Sequence, residues 1–113
     1  MRHYIKLAFF FLFFFFSTNC NQDTMKIVVD TPTIQCGMCQ KSIETGLGKL
    51  KGIAFSKVDL ETKTATIHYN GEKINIETIE NAISALGYQA NKTLADSIAY
   101  KTLPDCCKIG GMN

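Results

Sequence analysis

The chain has no tryptophan, only two prolines, at 32 and 104, and only two histidines in 113 residues. A thioredoxin-like enzyme places an aromatic residue before the first cysteine of its thiol pair and a proline beside it in mid-chain, and neither is present. His3 lies at the very start, which leaves His68. Strand alternation sets His68 on an open face, so it reads as a solvated residue rather than a ligand. There is no second CxxC and no histidine pair, so a four-ligand zinc site has little to draw on. No basic run is found, which excludes the electrostatic footprint of nucleic-acid binding. The unbroken apolar run Leu7–Phe16 is too short for a bilayer, which takes about 20 residues.

That run has another use. Seven of the eight phenylalanines lie in it, behind Arg2 and Lys6. A positive start followed by a short apolar stretch is an export signal, here residues 1–19. Ser17-Thr18-Asn19-Cys20 resembles a lipobox, with Ser17 where a large aliphatic residue is usual and Asn19 where a small one is usual. The reading is a signal of lipoprotein type, with Cys20 lipidated and the mature protein anchored by its acyl chains in the bacterial cell envelope, on the periplasmic side. Without Arg2 and Lys6 the 12 basic residues fall to 10, equal to the 10 acidic ones, so the mature chain is neutral.

Residues 20–25 are a linker, 26–92 form one domain, and 93–113 are a C-terminal extension with an adjacent cysteine pair. Lys26–Thr31 is β-branched and ends at Pro32, which predicts a strand. Ile43, Leu47 and Leu50 recur with helical period, with Gly52 placed to stop that helix. Ala54–Leu60 and Thr64–Tyr69 alternate as strands, the second with Ala65, Ile67 and Tyr69 inward. Asn75 caps a second helix striped by Ile76, Ile79, Ile83 and Leu86 and stopped by Gly87. Tyr88–Lys92 is expected as the last strand and Leu94–Tyr100 as a short extra helix. The order βαββαβ predicts an α+β, ferredoxin-like sandwich: a four-stranded antiparallel sheet with two helices on one face.

The cysteines are Cys20, Cys36, Cys39, Cys106 and Cys107. The last four form two local pairs, which would staple little as disulfides and suit metal binding or redox chemistry better. Cys36-Gly37-Met38-Cys39 spans the start of the first helix. Two intervening residues let both sulfurs converge, and the free N–H groups and positive dipole end of a helix favour thiolate over thiol. Two thiolates suit Cu(I) or Hg(II), or Zn(II) if more ligands join. Met38 is expected to point outward, as surface a partner could touch.

A CxxC between the first strand and first helix of such a chain resembles the heavy-metal-associated domain family. The stretches that carry the resemblance are CGMCQKSIETGLGKLKGI, VDLETKTATIHY and IETIENAISALGYQ, within about Lys26 to Ala90. The family motif is G-M-x-C-x-x-C. Its cysteines correspond to Cys36 and Cys39, while Thr33 and Ile34 replace its Gly-Met. The resemblance implies that Ile34 packs under the metal loop. It also implies that neutral Gln35, where zinc and cadmium members often carry an acid, favours a monovalent or two-coordinate ion. Tyr88 would stand beside the metal.

The resulting expectation is a non-enzymatic, exported soft-metal protein, a Cu(I) chaperone or scavenger. Its partner would be a metal-transporting membrane protein or another CxxC domain. A periplasmic mercury-binding protein of a resistance system, a metal-sensing module of a transporter and a thiol–disulfide oxidoreductase are the alternatives. Cys106 and Cys107 lie beyond the resemblance. They are expected to bind a second soft ion or to join Cys36 and Cys39, with Leu94, Ile98 and Leu103 offering contacts for a tail folded back on the domain.

Overall fold

The computed structural model describes residues 24–109. The expected export signal, residues 1–19, and Cys20 lie outside the described residues. Strand β1 is Met25–Asp30, helix α1 Gly37–Gly48, β2 Ile53–Asp59, β3 Thr64–Tyr69, α2 Ile76–Ala85 and α3 Ser97–Thr102, followed by a 3-10 turn at Asp105–Cys107. No helix among these residues is long and apolar enough to cross a membrane.

The sheet is antiparallel in the order β1-β3-β2. β3 shows the expected alternation, with Ala65, Ile67 and Tyr69 buried and their neighbours partly open. Val29 pairs with Ala65, and Val58 meets Ala65 from the other side, so all three strands bury the same face. Cys39, Ile43 and Leu47 of α1 and Ile79 and Ile83 of α2 join these residues in one core. Both helices therefore cover one face of the sheet. On the other face the Phe55 and His68 rings stack at 4.2 Å, so His68 has an aromatic neighbour as well as solvent.

Asn75 caps α2, its side chain accepting from the Thr78 N–H at 2.8 Å. Ile79 and Ile83 are buried as the period requires, whereas Ile76 at the helix start is exposed. α1 stops at Gly48, before Gly52, and Leu50 beyond its end is partly buried. A Cβ on Gly46 would lie 2.6 Å from Leu86 Cδ1, so this helical glycine lets the end of α2 approach α1 closely.

The expected fourth strand does not form among the described residues. Tyr88 N–H donates back to the Ile83 carbonyl, Gln89 N–H to Thr33 Oγ1, and Ala90 and Thr93 bond to each other across a tight turn. Asn91 sits at φ 52° and is tied to Asp30, its N–H donating to the Asp30 carbonyl and its Oδ1 accepting from the Asp30 N–H. A ladder along β1 needs several donors of this segment, and they are already engaged, so it meets the strand end at a single residue.

That turn, with Gly87 before it, directs the tail. Gly87 has φ 102°, and a Cβ there would stand 3.1 Å from Leu103 Cδ1 and 3.2 Å from the Ala99 backbone. Gly87→Ala is expected to cost about 1–2 kcal/mol from the left-handed backbone alone, and more from the contact with α3. Thermal unfolding measures it, and an unchanged midpoint would refute the close packing of the tail.

Candidate metal centre

Cys36 is the N-cap residue of α1, extended at φ −151° and ψ 176°, and its side chain makes no capping bond. Its carbonyl accepts from the N–H groups of Cys39, at 3.0 Å, and Gln40, at 3.2 Å, which begins the helix. The sulfur is thereby left beside the unpaired N–H groups of the first turn. Cys39 lies inside that turn with its side chain fully buried. The two sulfurs are 3.8 Å apart, both as free thiols.

The Cys36 thiol is lowered to about 7. Hydrogen bonding from the Cys39 N–H is the main cause. Desolvation works against it, while the Met38 N–H and the thiols of Cys106 and Cys107 add to it. Alkylation of Cys36 in metal-free, reduced protein, followed by peptide mass, should therefore rise with a midpoint near pH 7, the thiolate dominating above it. A midpoint near 8.5, ordinary for a thiol, would remove the helix-terminus argument.

The tail reaches this site. From the Ala90–Thr93 turn the chain runs alongside α2, with Asp96 N–H donating to the Ser84 carbonyl and Ser84 Oγ donating to the Leu94 carbonyl at 2.7 Å. Glu80 holds the turn, accepting from Asn91 Nδ2 and Thr93 Oγ1. α3 follows, capped by Asp96. Leu103 packs against the core over Gly87, whereas Leu94 and Ile98 are 71% and 72% exposed and hold nothing. Of the three expected apolar contacts only Leu103 forms. The fastening is otherwise polar, including Ile109 N–H to the Tyr100 hydroxyl at 3.0 Å.

The 3-10 turn then delivers both tail thiols. Cys107 is buried with its sulfur 3.8 Å from that of Cys36, and Cys106 lies 3.9 Å from Cys107. The thiol atoms of Cys36, Cys106 and Cys107 all lie within 4.8 Å of one another. Cys106 also donates to the Met38 sulfur at 3.5 Å. Met38 is exposed, as expected, yet its sulfur faces the cluster rather than away from it. Burial first, then hydrogen bonding to Cys39, pushes the Cys107 thiol up, and hydrogen bonding to Cys36 pushes Cys106 up. Hydrogen bonds from the thiols of Cys106 and Cys107 thus help to favour the thiolate form of Cys36.

Ile34 is fully buried in the core beneath the loop. Gln35 is exposed, and its side-chain amide donates to the Thr33 carbonyl. Tyr88 is fully buried, its hydroxyl lacking a partner of hydrogen-bond geometry. Burial and then the nearby thiols of Cys39 and Cys107 keep that hydroxyl un-ionised. An aromatic floor and a set of sulfur donors suit a soft ion and offer little to a hard one.

Relatives carry matching chemistry in their names. A copper chaperone CopZ of Staphylococcus haemolyticus is 28% identical over 61 residues, 54% of this chain and 90% of its own length. A mercuric transport protein periplasmic component of Shewanella putrefaciens is 28% identical over 82 residues, 73% of this chain and 90% of its own. Among solved structures, the N-terminal domain of a potential copper-translocating P-type ATPase from Bacillus subtilis, in its Cu(I)-loaded state, superposes with a TM-score of 0.58 at 29% identity, over 60% of this chain and 85% of that one. The chain spans less than a tenth of the length of the full-length copper ATPases it matches. The profile of the heavy-metal-associated domain matches residues 28–89, more than half of the 113 residues. With the CxxC at the head of α1 and this sheet beneath it, the chain belongs to the heavy-metal-associated domain family.

Proposed function

We propose that this protein is an exported Cu(I) chaperone or scavenger whose ion is held by the thiolates of Cys36 and Cys39. The observation that carries the reading is the pair of free thiols 3.8 Å apart at the start of α1, one of them with its acidity raised by backbone N–H groups. The ion is cargo. A thiolate of a partner CxxC domain, or of a metal-transporting membrane protein, attacks it, a shared-thiolate intermediate forms, and the thiolates of this chain leave without change of oxidation state. Of the two CxxC thiols, Cys36 is the partly exposed one and Cys39 the buried one.

Binding rather than catalysis is the role proposed, and the thiol–disulfide oxidoreductase reading has no residue beyond the CxxC to support it. Hg(II) as the cargo is the second reading. It is favoured by the mercuric transport relative, whose match covers more of this chain than that of the copper chaperone. Competition of Cu(I), Hg(II) and Zn(II) for the anaerobically purified, reduced protein tests both. Preference for Zn(II) would sink them together. Lipidation of Cys20 belongs to the same proposal and places the protein on the periplasmic side of the cell envelope. Intact mass of the product from a bacterial host is expected to show a cleaved, acylated N-terminus, and an unmodified one would refute the anchor.

A further inference from the structure

Metal–thiolate bonds are about 2.3 Å, so two sulfurs on opposite sides of an ion stand about 4.6 Å apart, three in a trigonal plane about 4.0 Å apart and four in a tetrahedron about 3.8 Å apart. The sulfur separations here are 3.8 Å for Cys36–Cys39, 3.8 Å for Cys36–Cys107 and 3.9 Å for Cys106–Cys107. These three match the edges of a three- or four-thiolate shell, and the remaining Cys36–Cys106 separation is within 4.8 Å. Cys36 is common to the CxxC and to the three-sulfur cluster with Cys106 and Cys107.

We infer that the C-terminal tail completes the site: Cys106 and Cys107 join Cys36 as ligands of the same soft d10 ion, which is then held by at least three thiolates. The inference rests on the soft-metal reading above and assigns the tail a role in it. Cys107 is placed for this by the fold, buried against Cys36 and the core, and Cys106 follows on the same 3-10 turn. Adjacent cysteines do not easily bond each other, and on this turn both thiols stay free within 4.8 Å of Cys36. Met38, in contact with Cys106, covers the outer side. The tail also decides how the ion leaves. A partner thiolate must displace Cys106 and Cys107 before Cys36 and its ion are open, so the tail acts as a lid whose own thiols are the latch.

The test uses the full chain, reduced and anaerobic, loaded with Cu(I) and separately with Hg(II). X-ray absorption gives the number of sulfur neighbours, and competition with a Cu(I) chelator gives affinity. The unaltered chain is expected to show three or more sulfurs per ion. Cys106→Ser, at a partly exposed position, and the double variant Cys106→Ser/Cys107→Ala are expected to lose sulfur neighbours and to bind on the order of 10- to 100-fold more weakly, a ligand counting for at least as much as a supporting partner. Circular dichroism of Cys106→Ser controls for folding if the double variant unfolds. Unchanged affinity and coordination number in Cys106→Ser and the double variant would overturn the inference and leave the CxxC reading standing. So would loss of one ion per chain with unchanged affinity for the other, which would mean an independent tail site. Failure of the unaltered chain to bind either ion would instead overturn the reading on which the inference rests.

Discussion

Cys36→Ser is expected to remove tight soft-metal binding while leaving the protein at least as stable as before. Cys36 lies 3.8 Å from both Cys39 and Cys107, and its thiol is the one lowered toward neutral pH. Losing it should weaken Cu(I) binding by well over the 10- to 100-fold typical of a lost supporting group. Its structural role points the other way. Cys36 is an N-cap without a capping bond, and serine is among the preferred N-cap residues, so the hydroxyl is expected to contribute up to about 1 kcal/mol. Affinity by chelator competition and unfolding by circular dichroism separate the two effects. Cys39 behaves differently. It is fully buried in the core, so Cys39→Ser brings an unpaired hydroxyl into apolar surroundings at about 1–3 kcal/mol. Cys39→Ala is the cleaner variant, expected to lose binding with a smaller loss of stability. Retention of native affinity in both Cys36→Ser and Cys39→Ala would reject the CxxC as the site.

Tyr88→Ala is expected to cost about 3–5 kcal/mol, the range for removing a buried aromatic ring. Tyr88 is the largest fully buried side chain among the described residues and lies under the thiols of Cys39 and Cys107. Small domains hold only about 5–15 kcal/mol in total, so this variant stands near the edge of folding. Its metal site should loosen with it, because the ring supports both the helix start and the tail. Tyr88→Phe separates packing from polarity. The hydroxyl has no hydrogen-bond partner, so its removal is expected to change stability by less than about 1 kcal/mol. A large loss of stability in Tyr88→Phe would show that the hydroxyl is bonded to a sulfur after all. A small loss in Tyr88→Ala would show that the tail repacks into the space.

The elements whose sequence pattern is periodic are the ones that form as read. Ile43, Leu47, Ile79 and Ile83 repeat at helical spacing, and Ala65, Ile67 and Tyr69 at strand spacing; all seven are buried. Periodicity works there because one solvent-facing and one core-facing side is a local requirement, met residue by residue. The Asn75 cap is local in the same sense. So is the convergence of Cys36 and Cys39, which the start of a helix enforces over four residues. The expected Tyr88–Lys92 strand is the counterexample. Its residues suit a strand, but a strand exists only through a neighbour's unpaired groups. Thr33 and the Ala90–Thr93 turn take the donors first.

Sequence by itself determined the two helices, three of the four expected strands and the thiol pair at the head of α1, because these follow from local spacing. Only the tertiary structure decided where Cys106 and Cys107 go. Cys36 and Cys107 are 71 positions apart, and nothing in the sequence between them names their meeting. It depends on Gly87 at φ 102°, on Asn91 at φ 52° and on Leu103 over Gly87, which together turn the chain back along α2. The contacts expected to hold the tail, Leu94 and Ile98, face solvent, and polar bonds from Glu80 and Ser84 hold its start instead. Hydrophobicity alone does not say which apolar residues find a partner; that depends on the shape of the surface the chain meets on its return.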